Sequence, residues 1–289
     1  MRLKRIYAEI TNVCNLRCSF CPPVRRPPRF MSTSEFEHIA REVSSVSSYI
    51  YLHVKGEPLF HPQLGEILSL CGKYGLLANL TTNGTLLPER GELLLSSPSL
   101  RQVNISLHSM EGRMEEQEKY LAGVAAFALD ASKRGAPYVS LRMWNGEKGE
   151  DMSDSAARML EFISARFGCD VGAGLRRGRD AAVFAPNVSV SFMDRFVWPD
   201  LALPVVSVRG RCLGGTRMLA ILCDGTVTPC CLDSEGIIDL GNIFKSPLAD
   251  IMSGERCVSL CRGFKGGPIT EELCRRCHYR LRFDKTPDE

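Results

Sequence analysis

Strand and helix signals alternate along the first two thirds of this chain, and this alternation limits the fold more than any other feature. Runs of β-branched and aromatic residues, such as residues 6–10 and 103–107, are each followed later by a segment with helical periodicity. Repeated β–α units place parallel strands side by side, because each helix crosses back over the sheet. Five or six such units predict an α/β fold whose strands form a partial (β/α)6 barrel.

The alternation stops after Val171. Residues 172–204 mix Gly, Arg, Asn and Pro, which predicts an irregular connecting segment that completes the barrel. Short elements follow, with a hairpin across Asp224-Gly225 and a helix over residues 270–282. The predicted organisation is therefore a barrel over residues 1–171, a connection over residues 172–204 and a small domain over residues 205–289.

One helix start is marked clearly near the N-terminus. Ser32 and Glu35 have the spacing of a capping box, in which each residue bonds the backbone of the other. This spacing predicts a helix that begins after Ser32 and runs to about Val46.

The chain has 13 cysteines and no apolar region of a signal peptide at its N-terminus. Clustered cysteines in such a chain indicate metal binding rather than disulfides, and they predict a cytoplasmic protein. No apolar stretch approaches the roughly 18–20 residues of a membrane helix. The net charge is only +3, so we expect neither a membrane nor a nucleic acid as partner.

The cysteines near the N-terminus carry the strongest chemical signal. Cys14, Cys18 and Cys21 have the spacing C-x3-C-x2-C. Three thiolates can hold three irons of a cubic 4Fe–4S cluster and leave the fourth iron open, whereas a site closed by four cysteines mostly carries electrons. An open iron can bind a substrate or cofactor, so this motif predicts chemistry rather than electron transfer alone.

A second set of cysteines lies near the C-terminus and comprises Cys212, Cys230, Cys274 and Cys277. Its members are separated by 17, 43 and 2 residues. Four thiolates with a CxxC suit a closed iron–sulfur cluster or a structural zinc ion. Cys231 is an alternative ligand to Cys230, and the role of Cys257 and Cys261 stays open.

Three motifs in this order resemble the radical S-adenosylmethionine (SAM) superfamily. They are the cysteine triplet with Phe20, Gly56-Glu57-Pro58 after the second strand, and Thr82-Asn83-Gly84 after the third. The C-terminal cysteines resemble the auxiliary-cluster domain of its SPASM and twitch branch. Because only a short stretch follows Cys277, the resemblance implies the smaller twitch type with one auxiliary 4Fe–4S cluster.

The resemblance also implies a mechanism and a set of cofactor contacts. SAM would bind the open iron, and one electron from the reduced cluster would cleave it to methionine and a 5′-deoxyadenosyl radical, which takes a hydrogen atom from the substrate. Arg142 would pair with the SAM carboxylate, a role that its planar fork suits. Relatives often have an acidic residue at the position of His108. The implied cofactor-binding residues are Phe20, Gly56, Glu57, Pro58, Asn83, Ser106 and Arg142.

An enzyme that completes an oxidation with its auxiliary cluster is the function that the resemblance favours. The substrate would be a small molecule, and a reductant such as flavodoxin or ferredoxin would supply electrons. One alternative is a peptide-modifying maturase of the same superfamily. Another is an iron–sulfur electron carrier or redox sensor without turnover.

Overall fold

A computed structural model describes residues 3–110, 114–145, 153–173 and 181–284. Strands and helices alternate over the first half of these residues, as the sequence predicts. The strands are β1 (Arg5–Ala8), β2 (Tyr49–Tyr51), β3 (Leu77–Thr82), β4 (Leu100–Ser106), β5 (Tyr138–Asn145), β6 (Ala181–Ala185), β7 (Val188–Asp194), β8 (Arg209–Arg211), β9 (Met218–Ile221), β10 (Val227–Thr228) and β11 (Lys265–Pro268).

The helices between these strands match the predicted crossovers in the first half of the chain. They are α1 (Thr33–Ser44), α2 (Leu64–Lys73), α3 (Leu87–Leu95), α4 (Met114–Arg134), α5 (Asp154–Phe167), α6 (Leu248–Ser253), α7 (Glu255–Gly263) and α8 (Glu272–Arg275), with 3-10 turns at Pro58–Phe60, Leu107–Met110 and His278–Phe283. Among the described residues, no helix combines the length and apolar character that crossing a membrane requires.

The chain divides into two compact units, each built from segments that are distant in sequence. The first unit comprises Met1–Glu57, Leu70–Leu77 and Phe196–Glu289, and the second comprises Pro58–Ser69 and Ala78–Arg195. The domains predicted from the sequence are continuous segments, whereas each compact unit combines several segments. The predicted domain bounds stay predictions.

The first unit contains a short sheet built around β1. Strand β1 lies between β2 and β9 and is parallel to both. Ile6 and Ala8 on one face are fully buried and Tyr7 on the other is 9% exposed, as expected for a central parallel strand covered on both faces. Strand β10 pairs antiparallel with β9, with Val227 opposite Ile221. This pairing confirms the predicted hairpin across Asp224-Gly225.

The second unit contains parallel strands in the order β3, β4, β5 and β7. The prediction that residues 172–204 are irregular is wrong, because β7 and its antiparallel partner β6 lie there. Pro186-Asn187 connects the two strands between Ala185 and its partner Val188. Asn187 takes a φ of 58°, the left-handed conformation that short hairpin turns need. The strands are short and this turn lacks glycine, so the local pattern is weak.

The capping box at the start of α1 is confirmed. The Glu35 N–H donates to the Ser32 hydroxyl at 3.2 Å, and the Ser32 N–H donates to a Glu35 carboxylate oxygen at 2.9 Å. The helix buries Phe36 and Val43 on one face and ends at Ser44, two residues before the predicted end. The sequence therefore determines the start of α1 closely.

The predicted helix over residues 270–282 is interrupted. Helix α8 ends at Arg275, and Cys277 has an extended backbone with φ −88° and ψ 102° before the 3-10 turn begins. The interruption falls inside the CxxC motif. A continuous helix is therefore wrong here, because Cys277 leaves the helical conformation to enter the turn that follows.

Candidate functional site

The N-terminal cysteines lie on a loop between β1 and α1 whose two ends are joined by hydrogen bonds. The Asn12 N–H donates to the Arg29 carbonyl at 3.3 Å, and the Arg29 N–H donates to the Asn12 side-chain oxygen at 2.7 Å. Between these ends, Cys14 and Cys21 are exposed and Cys18 is partly buried. The loop thus presents three accessible thiols from a fixed base.

Hydrogen-bond donors already face two of these sulfur atoms. The Leu16 N–H points to the Cys14 Sγ at 3.4 Å, and the Lys55 ammonium points to the Cys21 Sγ at 3.1 Å. Phe20 is half-buried beside Cys21. Donors to sulfur stabilise thiolates and are among the features that set the potential of iron–sulfur clusters.

Gly56 and Glu57 press against the chain that enters the cysteine loop. The Glu57 N–H donates to the Val13 carbonyl at 2.9 Å, and Glu57 is buried. Gly56 has a φ of 75°, and a Cβ at this position would lie 2.3 Å from the Thr11 carbonyl oxygen and 2.9 Å from that of Val13. Only glycine fits here, because both obstructing atoms belong to the backbone.

Gly56→Ala is therefore expected to displace the cysteine loop. We expect the variant to lose the iron bound by the N-terminal cysteines and to fall at least about 3 kcal/mol in free energy of unfolding. Iron analysis after reconstitution and chemical denaturation check both results.

Gly75→Ala is the matched control, since Gly75 has a φ of 66° and a Cβ added there would have nothing within 4 Å. This variant should lose about 1–2 kcal/mol in free energy of unfolding, because alanine disfavours the left-handed backbone, and it should keep all the iron. Equal iron contents in the two variants would contradict the role given to Gly56.

Ser106, Arg142 and His108 come together at the carboxyl edge of the strands in the second unit. Ser106 ends β4 and is the register partner of Arg142 on β5. The His108 imidazole lies 3.3 Å from the Arg142 carbonyl and stacks on Trp144 with ring centroids 4.2 Å apart. Burial lowers the pKa of His108 to about 4. The ring is therefore neutral near pH 7, unlike an acidic residue at this position.

Asn83 lies at the same edge, directly after β3. Its side-chain oxygen accepts hydrogen bonds from the backbone and hydroxyl of Thr85 at 2.9 and 2.7 Å, and its carbonyl accepts one from the Tyr120 hydroxyl at 2.9 Å. Ligands of parallel α/β sheets bind outside the carboxyl ends of the strands. The structure thus brings Asn83, Ser106 and Arg142 to the edge where a cofactor would bind.

The four C-terminal cysteines of the second set come together in the first unit, although up to 65 positions separate them in the sequence. Burial raises the pKa of Cys212 to about 11, and the negative charge of a Cys277 thiolate acts in the same direction. Burial also raises the pKa of Cys230 and of Cys274, and each of these thiols feels the charge of Cys212. These electrostatic interactions link all four thiols, as expected for the predicted ligand set.

Cys230 and the adjacent Cys231 differ in the groups with which they interact. The charges of Cys212 and Cys274 reinforce the rise in pKa that burial causes at Cys230. Burial raises the pKa of Cys231 to about 11, but its side chain is hydrogen-bonded to Tyr7. Cys230 stays the predicted ligand, with Cys231 as its alternative.

Comparison with known protein families identifies the family of the chain. The family model of the radical SAM superfamily matches residues 8–146, and that of an iron–sulfur cluster-binding domain, SPASM, matches residues 212–278. The chain belongs to the radical SAM superfamily. The two matches contain both cysteine sets, so the predicted family and its cofactors, SAM and 4Fe–4S clusters, are confirmed.

The curated relatives of this radical SAM protein are named for reactions that differ from one another. GTP 3',8-cyclase of Geobacter sulfurreducens is 30% identical over 189 residues, which is 57% of this chain and 56% of that protein. AdoMet-dependent heme synthase of Methanosarcina barkeri is 35% identical over 127 residues, 40% of this chain and 36% of that protein. The chain thus matches about half the length of these curated relatives or less.

Solved structures confirm the fold class, a partial (β/α) barrel followed by a small C-terminal domain. BtrN in an open conformation has a TM-score of 0.58 and 16% identity, covering 96% of this chain and 93% of BtrN. SuiB of Streptococcus suis bound to precursor peptide SuiA has a TM-score of 0.63 and 16% identity, covering 96% of this chain and 70% of SuiB. At these identities the likeness establishes the fold alone.

The surroundings of Arg280 show whether the C-terminal thiols of this radical SAM protein suit a cluster. Its side chain is 1% exposed, and its Nη2 is buried without a hydrogen-bond partner among the described residues. Its positive charge also lowers the pKa of Cys212 against the larger effect of burial. Arg280 also forms an ion pair with Asp284 at 2.9 Å, but the spare buried donor and the nearby charge of Cys212 suit a negatively charged group, so the residues present fit an iron–sulfur cluster.

A site for a single metal ion is a separate matter. Within the described ranges, no group of three or more His, Cys, Asp or Glu residues is arranged to hold a single metal ion. The case for clusters therefore rests on the thiol sets, their donors and the family models.

Cys257 and Cys261 form a pair of their own on α7. The two side chains are hydrogen-bonded to each other; this bond raises the pKa of Cys257 and lowers that of Cys261 to about 7. Cys261 packs against the same apolar cluster as Cys212 and Cys274.

Sequence analysis assigned no site role to three residues near the cysteine loop: Glu9, Arg26 and Lys55. Glu9 is fully buried and forms an ion pair with Arg26 at 2.7 Å. It also accepts the Lys55 backbone N–H at 3.2 Å. A charged residue inside a strand pattern, as at Glu9, is the one signal that could have drawn attention to this network.

Proposed function

We propose that this chain is a radical SAM enzyme that cleaves SAM reductively and oxidises its substrate with the help of one auxiliary 4Fe–4S cluster. The observation that carries the proposal is the pairing of a three-thiol loop with a separate, partly buried four-thiol group in one chain. When bound, the first cluster and SAM would supply a carbon radical that abstracts hydrogen from a substrate. The second cluster would take up an electron.

The proposed division of labour follows the donor sets. The exposed loop would hold the first cluster through Cys14, Cys18 and Cys21, which leaves one iron open. The four-thiol group would bind all four irons of the second cluster through Cys212, Cys230, Cys274 and Cys277. Phe20, Gly56, Glu57, Pro58, Asn83, Ser106 and Arg142 are the proposed contacts of SAM.

A small molecule with an oxidisable carbon–hydrogen bond is the proposed substrate class. Loss of one hydrogen atom leaves a substrate radical, and a two-electron oxidation needs a second acceptor, which the auxiliary site would provide. A reductant such as flavodoxin or ferredoxin would supply the electrons that reduce the N-terminal cluster. The fold likeness to SuiB with its precursor peptide keeps a peptide substrate as the second candidate, and substrate panels of both classes separate the two.

One experiment tests this function with Cys230→Ala and its neighbour Cys231→Ala as a matched pair. The parent, reconstituted without oxygen and reduced, should hold about eight irons per chain and form 5′-deoxyadenosine and methionine from SAM. Cys230→Ala should hold about four irons, still form 5′-deoxyadenosine and lose the oxidised product. Cys231→Ala should behave as the parent does.

Two results would overturn the proposal. If the reduced parent forms no 5′-deoxyadenosine with any substrate tested, the chain is an electron carrier or sensor. If Cys230→Ala keeps all the iron, or the parent holds only about four irons, the auxiliary cluster must be abandoned.

A further inference from the structure

Lys55 occupies an unusual position for a charged side chain. It is only 4% exposed, and its ammonium donates to the Cys21 Sγ at 3.1 Å and to the Pro22 carbonyl at 2.7 Å. The same ammonium lies over the ring of Trp198, 4.2 Å from the centroid. Within the described part of the chain, no hydrogen bond or ion pair of this ammonium involves a carboxylate.

A buried ammonium needs negative charge close by, because burial removes it from water. The carbonyl and the aromatic face supply only partial charge. A Cys21 thiolate would supply a full one, and a hydrogen bond between charged groups is roughly twice as strong as a neutral one. The environment of Lys55 is therefore completed when Cys21 is a cluster thiolate.

The backbone of Lys55 is held as firmly as its side chain. Its N–H donates to the buried Glu9 carboxylate at 3.2 Å, and Arg26 neutralises that carboxylate. Gly56, the next residue, is pressed against the entry to the cysteine loop. The ammonium is thus positioned before any cluster binds, which makes its effect on the cluster large for a single side chain.

We propose that Lys55 raises the reduction potential of the cluster held by Cys14, Cys18 and Cys21, with Trp198 holding the ammonium against Cys21. The inference rests on the proposed function, since it needs a cluster at these cysteines. Reduction adds one electron to the cluster and makes its thiolates more negative. A fixed positive charge and a hydrogen bond to sulfur stabilise that reduced form over the oxidised one.

The test is an anaerobic redox titration followed by electron paramagnetic resonance, on the parent, Lys55→Met and Lys55→Arg. The signal that changes when SAM is added reports the N-terminal cluster, and the auxiliary cluster serves as an internal reference. Lys55→Met should shift the ratio of reduced to oxidised cluster at least tenfold toward oxidised at a given potential. This equals about 59 mV for one electron, and the auxiliary couple should not move.

The controls separate charge from structure. Lys55→Arg keeps a charged donor, so the reduction potential of its N-terminal cluster should stay close to that of the parent. Lys73→Met removes an exposed lysine paired with Glu37 and should leave both potentials unchanged. If Lys55→Met loses iron, Lys55→Gln takes its place, because it keeps a donor to Cys21 without the charge.

The outcomes distinguish this inference from the proposed function. An unchanged potential in a Lys55→Met or Lys55→Gln protein with full iron overturns the role of Lys55, even if SAM is cleaved normally. A shifted potential in a protein that never forms 5′-deoxyadenosine supports Lys55 and overturns the enzyme. A parallel shift of both couples would mean a general structural change and would also contradict the inference.

Discussion

Replacement of Cys14, Cys18 and Cys21 by alanine should abolish 5′-deoxyadenosine formation and lower the iron content from about eight to about four per chain. Cys14 and Cys21 are exposed and Cys18 is partly buried, so alanine leaves no large cavity in the core. The loop is joined at its base by Asn12 and Arg29, which the substitutions do not touch. The fold should therefore persist, and the loss should reflect the missing cluster.

Iron and sulfide analysis, together with chromatography of SAM products, measures this effect. Cys169→Ala is a suitable control, because Cys169 is exposed and lies outside both cysteine sets. It should keep about eight irons and full SAM cleavage. A triple variant that still cleaves SAM would show that the cluster is held elsewhere.

Arg26→Met should lower the free energy of unfolding by about 3–5 kcal/mol. Its partner Glu9 is 0% exposed, and the ion pair at 2.7 Å supplies the positive charge nearest to that carboxylate in the described contacts. Glu9 also accepts the backbone N–H groups of Lys55 and Cys223. Without Arg26 the carboxylate stays buried and uncompensated, which costs more than the pair itself gains.

Arg29→Met, in the same loop, provides the comparison for Arg26→Met. The Arg29–Glu35 pair is partly exposed on both sides, so its loss should cost below about 1 kcal/mol. Glu9→Gln combined with Arg26→Met should recover part of the loss, since it removes the stranded charge. Chemical denaturation of the parent and the three variants measures these differences in free energy of unfolding, and equal effects of the two arginine substitutions would contradict the argument.

The Arg26 network also explains why the loss should reach beyond the loop. The Arg26 Nε donates to the Ser234 carbonyl at 2.9 Å, and the Arg25 N–H donates to Glu235 at 3.2 Å. Ser234 and Glu235 belong to the segment that the SPASM model matches. Within the first unit, one buried ion pair therefore supports the three-thiol loop and holds it to the domain of the four-thiol group.

Local sequence determined the elements whose signals are complete within a few residues. The capping box at Ser32 and the hairpin at Asp224-Gly225 were placed correctly, because side chain and backbone interact within one turn. The alternation of strands and helices predicted parallel strands, and the spacing of Cys14, Cys18 and Cys21 pointed to the family. Each of these patterns is readable without knowing which distant residue lies nearby.

Only the tertiary structure decided the features that depend on distant neighbours. It showed that Cys230 interacts electrostatically with Cys212 and Cys274, whereas the adjacent Cys231 is hydrogen-bonded to Tyr7. It gave Lys55 a sulfur partner 34 positions away and Glu9 its compensating charge. The physical reason is that the energy of a buried charge or thiol depends on what surrounds it, and the local sequence does not specify those surroundings.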